Sequence, residues 1–185
     1  MFKKQAGGNQ LLNPKEILEN KIGLGYGNVI ADLGCGPKAY FTFQSARIVG
    51  DRGIVYAVDI QKQVLSSVES HAKNQDLGNI RTVWSNLEIN GATKIQESSL
   101  DLAILNNVLF QSADMPEMIK EAIRLVKTGG KLLVIDWKNI GAPLGPKMSL
   151  RVNPEKVKEL CEVFGLKLEK EFEAGQYHFG LIFRK

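Results

Sequence analysis

The sequence predicts an α/β fold: a mostly parallel seven-stranded sheet with helices on both faces, closed by a C-terminal antiparallel hairpin. Three observations carry this. Short apolar runs alternate with amphipathic stretches of helical period. A glycine-rich turn follows the first apolar run directly. The last two strand-like runs, 166–172 and 177–183, are joined by a short link around Ala174-Gly175. A link that short forces antiparallel pairing, because a parallel connection needs about a dozen residues or more.

The elements follow in order. Asn13-Pro14 opens a first helix, with Asn as cap, Pro at the first helical position and Glu16 where a capping box wants an acid. It runs to about Ile22, and the glycines from Gly23 to Gly27 break it. Strands are expected at 29–33, 54–58, 80–84, 100–105 and 132–135. Between them lie a helix at 39–49 and one carrying Val64, Leu65, Val68 and Ala72 on one face. Another, with Ile119, Ala122, Ile123 and Val126 on one face, ends at Gly129-Gly130. Turn residues fill 139–152, and Asn153-Pro154 opens a last helix that Gly165 ends.

At 185 residues the chain is expected to form one domain over 1–185, in which 1–27 is an N-terminal arm and helix that could serve as a lid. Hydrophobic residues make up 44% and charged residues 24%, as in ordinary globular proteins. No run approaches the ~20 apolar residues of a membrane span. The lysines near Met1 precede no apolar stretch, so no signal peptide is read and a cytoplasmic location is expected. Cys35 and Cys161 form neither a disulfide framework nor a metal set, and no metal is expected. The net charge of +4 contains no block of like charge and reads as a solvated surface.

Chemistry concentrates in Asp32-Leu33-Gly34-Cys35-Gly36-Pro37, directly after the first strand. Glycines let the backbone turn sharply and approach a ligand, and the following helix offers unpaired N–H groups. Asp59, closing the second strand, can accept both hydroxyls of a ribose. Either feature alone could be a turn or a cap. Together, in strand context, they indicate a nucleoside ligand. Gly34-Cys35-Gly36-Pro37-Lys38-Ala39 also fits the dinucleotide fingerprint, so a nicotinamide-dependent oxidoreductase competes. Against it stand Asp32 ahead of the glycines, a helix before the first strand, and a hairpin where a catalytic half would follow.

With these motifs the chain resembles the class I S-adenosylmethionine-dependent methyltransferases, and within them the small enzymes similar to those of ubiquinone and menaquinone biosynthesis. The resemblance runs from about Asn13 to Lys185. It rests on the Val29–Pro37 motif, on Val58-Asp59-Ile60, on the strand from Leu100 through Asn106-Asn107-Val108-Leu109, and on the approach to Gly129-Gly130-Lys131. It implies a Rossmann-like fold with S-adenosylmethionine as cofactor. It further implies that Asp32 and the Gly34-Cys35-Gly36 backbone hold the amino-acid end, and that Asp59 holds the ribose with Ile60 against the adenine. Asn86, followed by Leu87, would accept from the adenine amino group, and Asn106 would lie beneath the methionine portion. Two positions depart from the family pattern. Lys38 stands in place of the third glycine, and Thr128 in place of a proline. Lys38 keeps open a non-catalytic cofactor-binding relative.

Methyl transfer needs a general base only when the nucleophile holds a proton of high pKa. The strand-end candidates are Asp136 and His178, against the plainer readings of a loop tether and a histidine satisfied within the sheet. His71 reads as a surface residue. The position after the fourth strand lacks the Asn/Asp-Pro-Pro-aromatic run of exocyclic-amine methyltransferases, no nucleic-acid module is present, and no cysteine set suits arsenic. A small-molecule acceptor is expected and nucleic acid is not; the oligomeric state is left open. The arm, the stretch Leu109-Phe110-Gln111 and the loop 141–146 are expected to shape the acceptor pocket, with Arg151 a candidate for meeting an acidic substrate.

Overall fold

A computed structural model describes residues 11–185. Seven strands form one sheet: β1 (Val29–Leu33), β2 (Ile54–Asp59), β3 (Ile80–Trp84), β4 (Leu100–Asn106), β5 (Val126–Trp137), β6 (Lys167–Glu173) and β7 (His178–Arg184). Their order is β3-β2-β1-β4-β5-β7-β6. The first five strands run parallel, while β7 pairs antiparallel with both β5 and β6. The predicted hairpin is therefore present, with β7 wedged between β5 and β6. The winding reverses at β1, whose neighbours are β2 and β4. In open α/β sheets such a reversal leaves a crevice at the carboxyl ends of the strands.

Helices α2 (Tyr40–Val49), α3 (Lys62–Asn74), α4 (Met115–Leu125) and α5 (Pro154–Val163) cover the sheet. Ahead of them α1 starts as a single turn, Pro14–Glu16, capped by the Asn13 side chain, and widens into a π-helical stretch, Ile17–Ile22. One core face gathers Ala31, Leu33, Leu105 and Val134 with α4 and α5. The other gathers Ile30, Ile104, Leu133 and Ile135 with Phe41 of α2 and with Ile17, Leu18 and Ile22. The first helix is thus seated in the core rather than over the strand ends. The rest of the proposed lid, residues 1–10, lies outside the described residues, as does the reading of a missing signal peptide.

Several boundaries differ from expectation, two of them with a clear local cause. α4 stops at Leu125, and Val126, expected on the helix, already pairs with Leu100. β5 then runs through Gly129-Gly130 with a register shift between Leu100 and Leu102. A Cβ on Gly130 would lie 2.8 Å from the Leu100 carbonyl, so glycine here allows two strands to touch rather than ending a helix. α2 begins at Tyr40, because Ala39 adopts a left-handed φ of 43°. No helix among the described residues is long and apolar enough to cross a membrane.

Candidate active site

The glycine loop hangs from the end of β2. The Gly34 and Cys35 N–H groups both donate to the Val58 carbonyl, at 2.8 and 3.0 Å, and the Gly36 N–H donates to Asp59 Oδ2 at 3.0 Å. Gly34 has a φ of +80°, and a Cβ there would come within 2.7 Å of Val108. Glycine is required at that turn on both counts. Lys38, in contrast, has no positive φ, so its side chain adds no backbone strain where the family pattern has glycine.

Asp32 lies under this loop. It is buried, and its Oδ2 accepts the Thr42 backbone N–H at 3.0 Å and the Thr42 hydroxyl at 2.6 Å. Ala39 cannot cap α2 with a side chain, so the strand carboxylate supplies the missing bond at the third residue of the helix. Burial pushes the Asp32 carboxyl up to about 6 against the Thr42 bonds, and the nearby Asp59 adds to the rise.

A cavity of about 610 Å³ opens across the carboxyl ends of the parallel strands. Its wall includes Gly34, Cys35, Gly36, Asp59, Ile60, Asn86, Leu87 and Asn106 from the expected set. Asp32 is not on that wall; it acts through Thr42 and the start of α2. Asp59 Oδ1 also accepts the Gln61 N–H at 2.9 Å, so both of its oxygens are engaged and each retains a further lone pair. Ile60 is 54% exposed beside it, an apolar surface left open. Asn86 Oδ1 accepts the Glu88 N–H at 3.0 Å. Asn106 is buried, and its Oδ1 has no hydrogen-bond partner, so the cavity wall holds a desolvated acceptor without a donor. These groups fit a nucleoside carrying a cationic amino-acid tail. Asp59 could accept a diol, the exposed face of Ile60 could take a flat base, and the unpartnered Asn106 Oδ1 could accept from an ammonium or hydroxyl.

Toward β5 the wall changes character. Phe110, Gln111, Met118, Trp137, Gly145 and Pro146 line it. The expected stretch 109–111 contributes Phe110 and Gln111, while Leu109 is buried in the core. From the expected loop 141–146 only Gly145 and Pro146 reach the wall. Sequence reasoning missed Trp137, Tyr40 and Glu88. Trp137 carried a usable signal, since it stands at the carboxyl end of β5. Its ring is clamped: the His178 ring centroid lies 4.2 Å away on one strand, and the Arg151 guanidinium sits 5.4 Å over the ring. Gly145 packs so closely that a Cβ would meet the indole at 2.7 Å.

Arg151 is occupied. It donates to the carbonyls of Lys138, Ile140 and Pro146, binding its own loop together, and it does not line the cavity. Asp136 and His178 are also off the wall, and both are fully buried. The Asp136 carboxylate accepts the N–H groups of Trp137 at 2.8 Å and Phe110 at 3.3 Å, and burial pushes it up to about 7. His178 has no partner for either ring nitrogen, and burial, with the charges of Arg151 and Lys138, lowers it to about 4. Glu88, on the cavity wall, is a poor base. Glu88 Oε1 accepts from the Ser112 hydroxyl and from the Ala113 and Asp114 N–H groups, which holds it below the usual carboxylate range.

Residues 26–178 match the model of a family described as "Methyltransferase domain". The chain belongs to that family. It is 27% identical over 122 residues to demethylmenaquinone methyltransferase of Geobacillus sp. (strain WCH70), covering 66% of this chain and 50% of that protein. It is 28% identical over 116 residues to the ubiquinone/menaquinone biosynthesis C-methyltransferase UbiE of Pasteurella multocida, covering 62% of this chain and 42% of that one. The chain thus spans about half the length of the curated relatives it matches. A SAM-dependent methyltransferase from Aquifex aeolicus superimposes with a TM-score of 0.85 at 23% identity, covering 95% of this chain and 91% of that one. The cyclase SpnF shares the architecture at a TM-score of 0.77 and 14% identity, over 92% of this chain and 80% of that one. The fold alone therefore does not name a reaction.

Proposed function

We propose that this methyltransferase-family chain binds S-adenosylmethionine and transfers its methyl group to a small-molecule acceptor. The observation that carries the reading is one continuous cavity, with Asp59, the glycine loop and the unpartnered Asn106 at one end and Phe110, Met118 and Trp137 at the other. The cofactor supplies an activated methyl group on a sulfonium, released by in-line displacement. What the chain contributes is geometry. The Gly34–Gly36 backbone and Asp59 fix the nucleoside, Asn106 orients the amino-acid tail, and the apolar end admits the acceptor while excluding water.

The described cavity wall carries no imidazole, and its two carboxylates, Asp59 and Glu88, are both committed to backbone N–H groups. The acceptor atom is therefore one that reacts without a strong protein base: an anion, or a neutral atom with an available lone pair. The apolar wall suits a flat or aliphatic molecule, and the relatives' names make demethylmenaquinone and other ubiquinone or menaquinone precursors the first acceptors to try. Incubating the protein with methyl-labelled S-adenosylmethionine and a panel of phenolic and quinol acceptors tests this. The expected result is label in an organic product, with S-adenosylhomocysteine formed in equal amount. Cofactor binding without turnover on any acceptor would favour a non-catalytic role.

A further inference from the structure

We propose that Asp136 is a positioning residue whose buried carboxylate ties together the two walls of the acceptor end of the cavity. The proposal rests on the methyltransferase reading only for the word "acceptor"; the tie itself stands on geometry. Asp136 lies one residue before Trp137 on β5, and its Oδ1 accepts the Trp137 N–H at 2.8 Å. Its Oδ2 reaches across to the N–H of Phe110 at 3.3 Å. Leu109 and Phe110 begin the short 3₁₀ turn Leu109–Gln111, which has no side-chain cap of its own from Val108. One carboxylate thus caps the turn that carries Phe110 and Gln111, and holds the backbone of the indole facing them.

A second tie lies beside it. The Asn107 N–H donates to the Ile135 carbonyl at 2.8 Å, so the exit of β4 is fastened to β5 just below Asp136. Above that point nothing in β-ladder pairing connects the 3₁₀ turn to Trp137, because β4 ends at Asn106. One N–H donor on each oxygen requires two accepting oxygens, which an ionised carboxylate has and an amide or protonated acid lacks in part. Burial of this anion holds its pKa at about 7, so the tie weakens near neutrality as the proton arrives.

Phe179, opposite Asp136 on β7, carries no charge. Around Trp137 stand His178, neutral above about 4, and the cations Arg151 and Lys138.

The chain has two tryptophans, so Trp84→Phe leaves Trp137 as the sole indole reporter. Acrylamide quenching of its fluorescence reads how well the wall shields it. At pH 8 the Asp136→Asn change in this background should raise the quenching constant by about twofold or more, as the wall opens locally. A residue that merely filled space would leave the constant unchanged, since Asn has the same volume. The unsubstituted Asp136 chain should show quenching that rises as pH falls through about 7. An Asp136→Asn protein as well shielded as its parent, or a flat pH profile, overturns the proposal. Titration with S-adenosylhomocysteine runs alongside and should give dissociation constants within about threefold for the two proteins, because Asp136 is off the cofactor end. Failure of both to bind it would refute the methyltransferase reading while the quenching result still decides the role of Asp136.

Discussion

At Asp59, two backbone donors and one ligand meet on a single side chain. The Gly36 and Gln61 N–H groups orient the carboxylate, and a ribose diol would add two charge-assisted hydrogen bonds worth about 2–3 kcal/mol. Asp59→Ala should therefore weaken S-adenosylhomocysteine binding by about 30- to 150-fold in a calorimetric titration, with an unchanged circular dichroism spectrum. An unaltered dissociation constant would reduce Asp59 to a cap on the glycine loop. The place of Asp59 is legible in sequence because strand-end position is a local property, and it closes β2; Ile60 and Asn106 are indicated only by the family resemblance. Asp32 was legible as important, but its work was not. Its hydrogen bonds to Thr42 depend on α2 folding back over β1, ten residues along the chain, and no spacing rule reveals that.

Among the elements, α4 is anchored by a buried acid. Glu121 is fully buried and forms a two-point pair with Arg124, with both N···O distances at 2.8 Å. It also accepts the N–H groups of Gly91 and Thr93, fastening the segment after Asn86 and Leu87 to the helix. Burial works against its charge, yet these bonds hold the carboxyl down at about 2. Glu121→Ala leaves Arg124 and two backbone donors without an acceptor, so a loss of about 3 kcal/mol in chemical denaturation is expected. A loss below about 1 kcal/mol would show that the segment is held by packing alone. Elements were readable from period and caps, as at Asn13-Pro14 and Asn153-Pro154, both of which are capped as expected. The start of β5 was not, because Gly129-Gly130 serves a close strand contact rather than a helix stop. That distinction depends on the Leu100 carbonyl, far away in sequence.

Across the whole molecule, the fold opens one cavity with a polar end and an apolar end across the carboxyl ends of the parallel strands, and buries Asp32, Asp136 and His178 close by. His178 illustrates the consequence for stability. Its folded pKa, about 4, lies below the ordinary 6.5, so the unfolded chain takes up the proton first. The stabilising contribution of the neutral ring is complete above pH 6.5 and is lost as pH falls toward 4. His178→Phe removes that slope. Relative to its parent, the variant should gain on the order of 1 kcal/mol per pH unit over this window in denaturant midpoints. The opposite slopes of Asp32 and Asp136 cancel in the difference, since both proteins carry them. A difference independent of pH would mean that His178 stays hydrated. The order of strands, with the reversal at β1, was predictable only as a class, yet it decides where the cavity opens. The most direct measurement of the central claim is a calorimetric titration of the unmodified protein with S-adenosylhomocysteine and, separately, with NAD. The account predicts saturable binding of S-adenosylhomocysteine and none of NAD. Tighter binding of NAD, or no heat with S-adenosylhomocysteine, would contradict it.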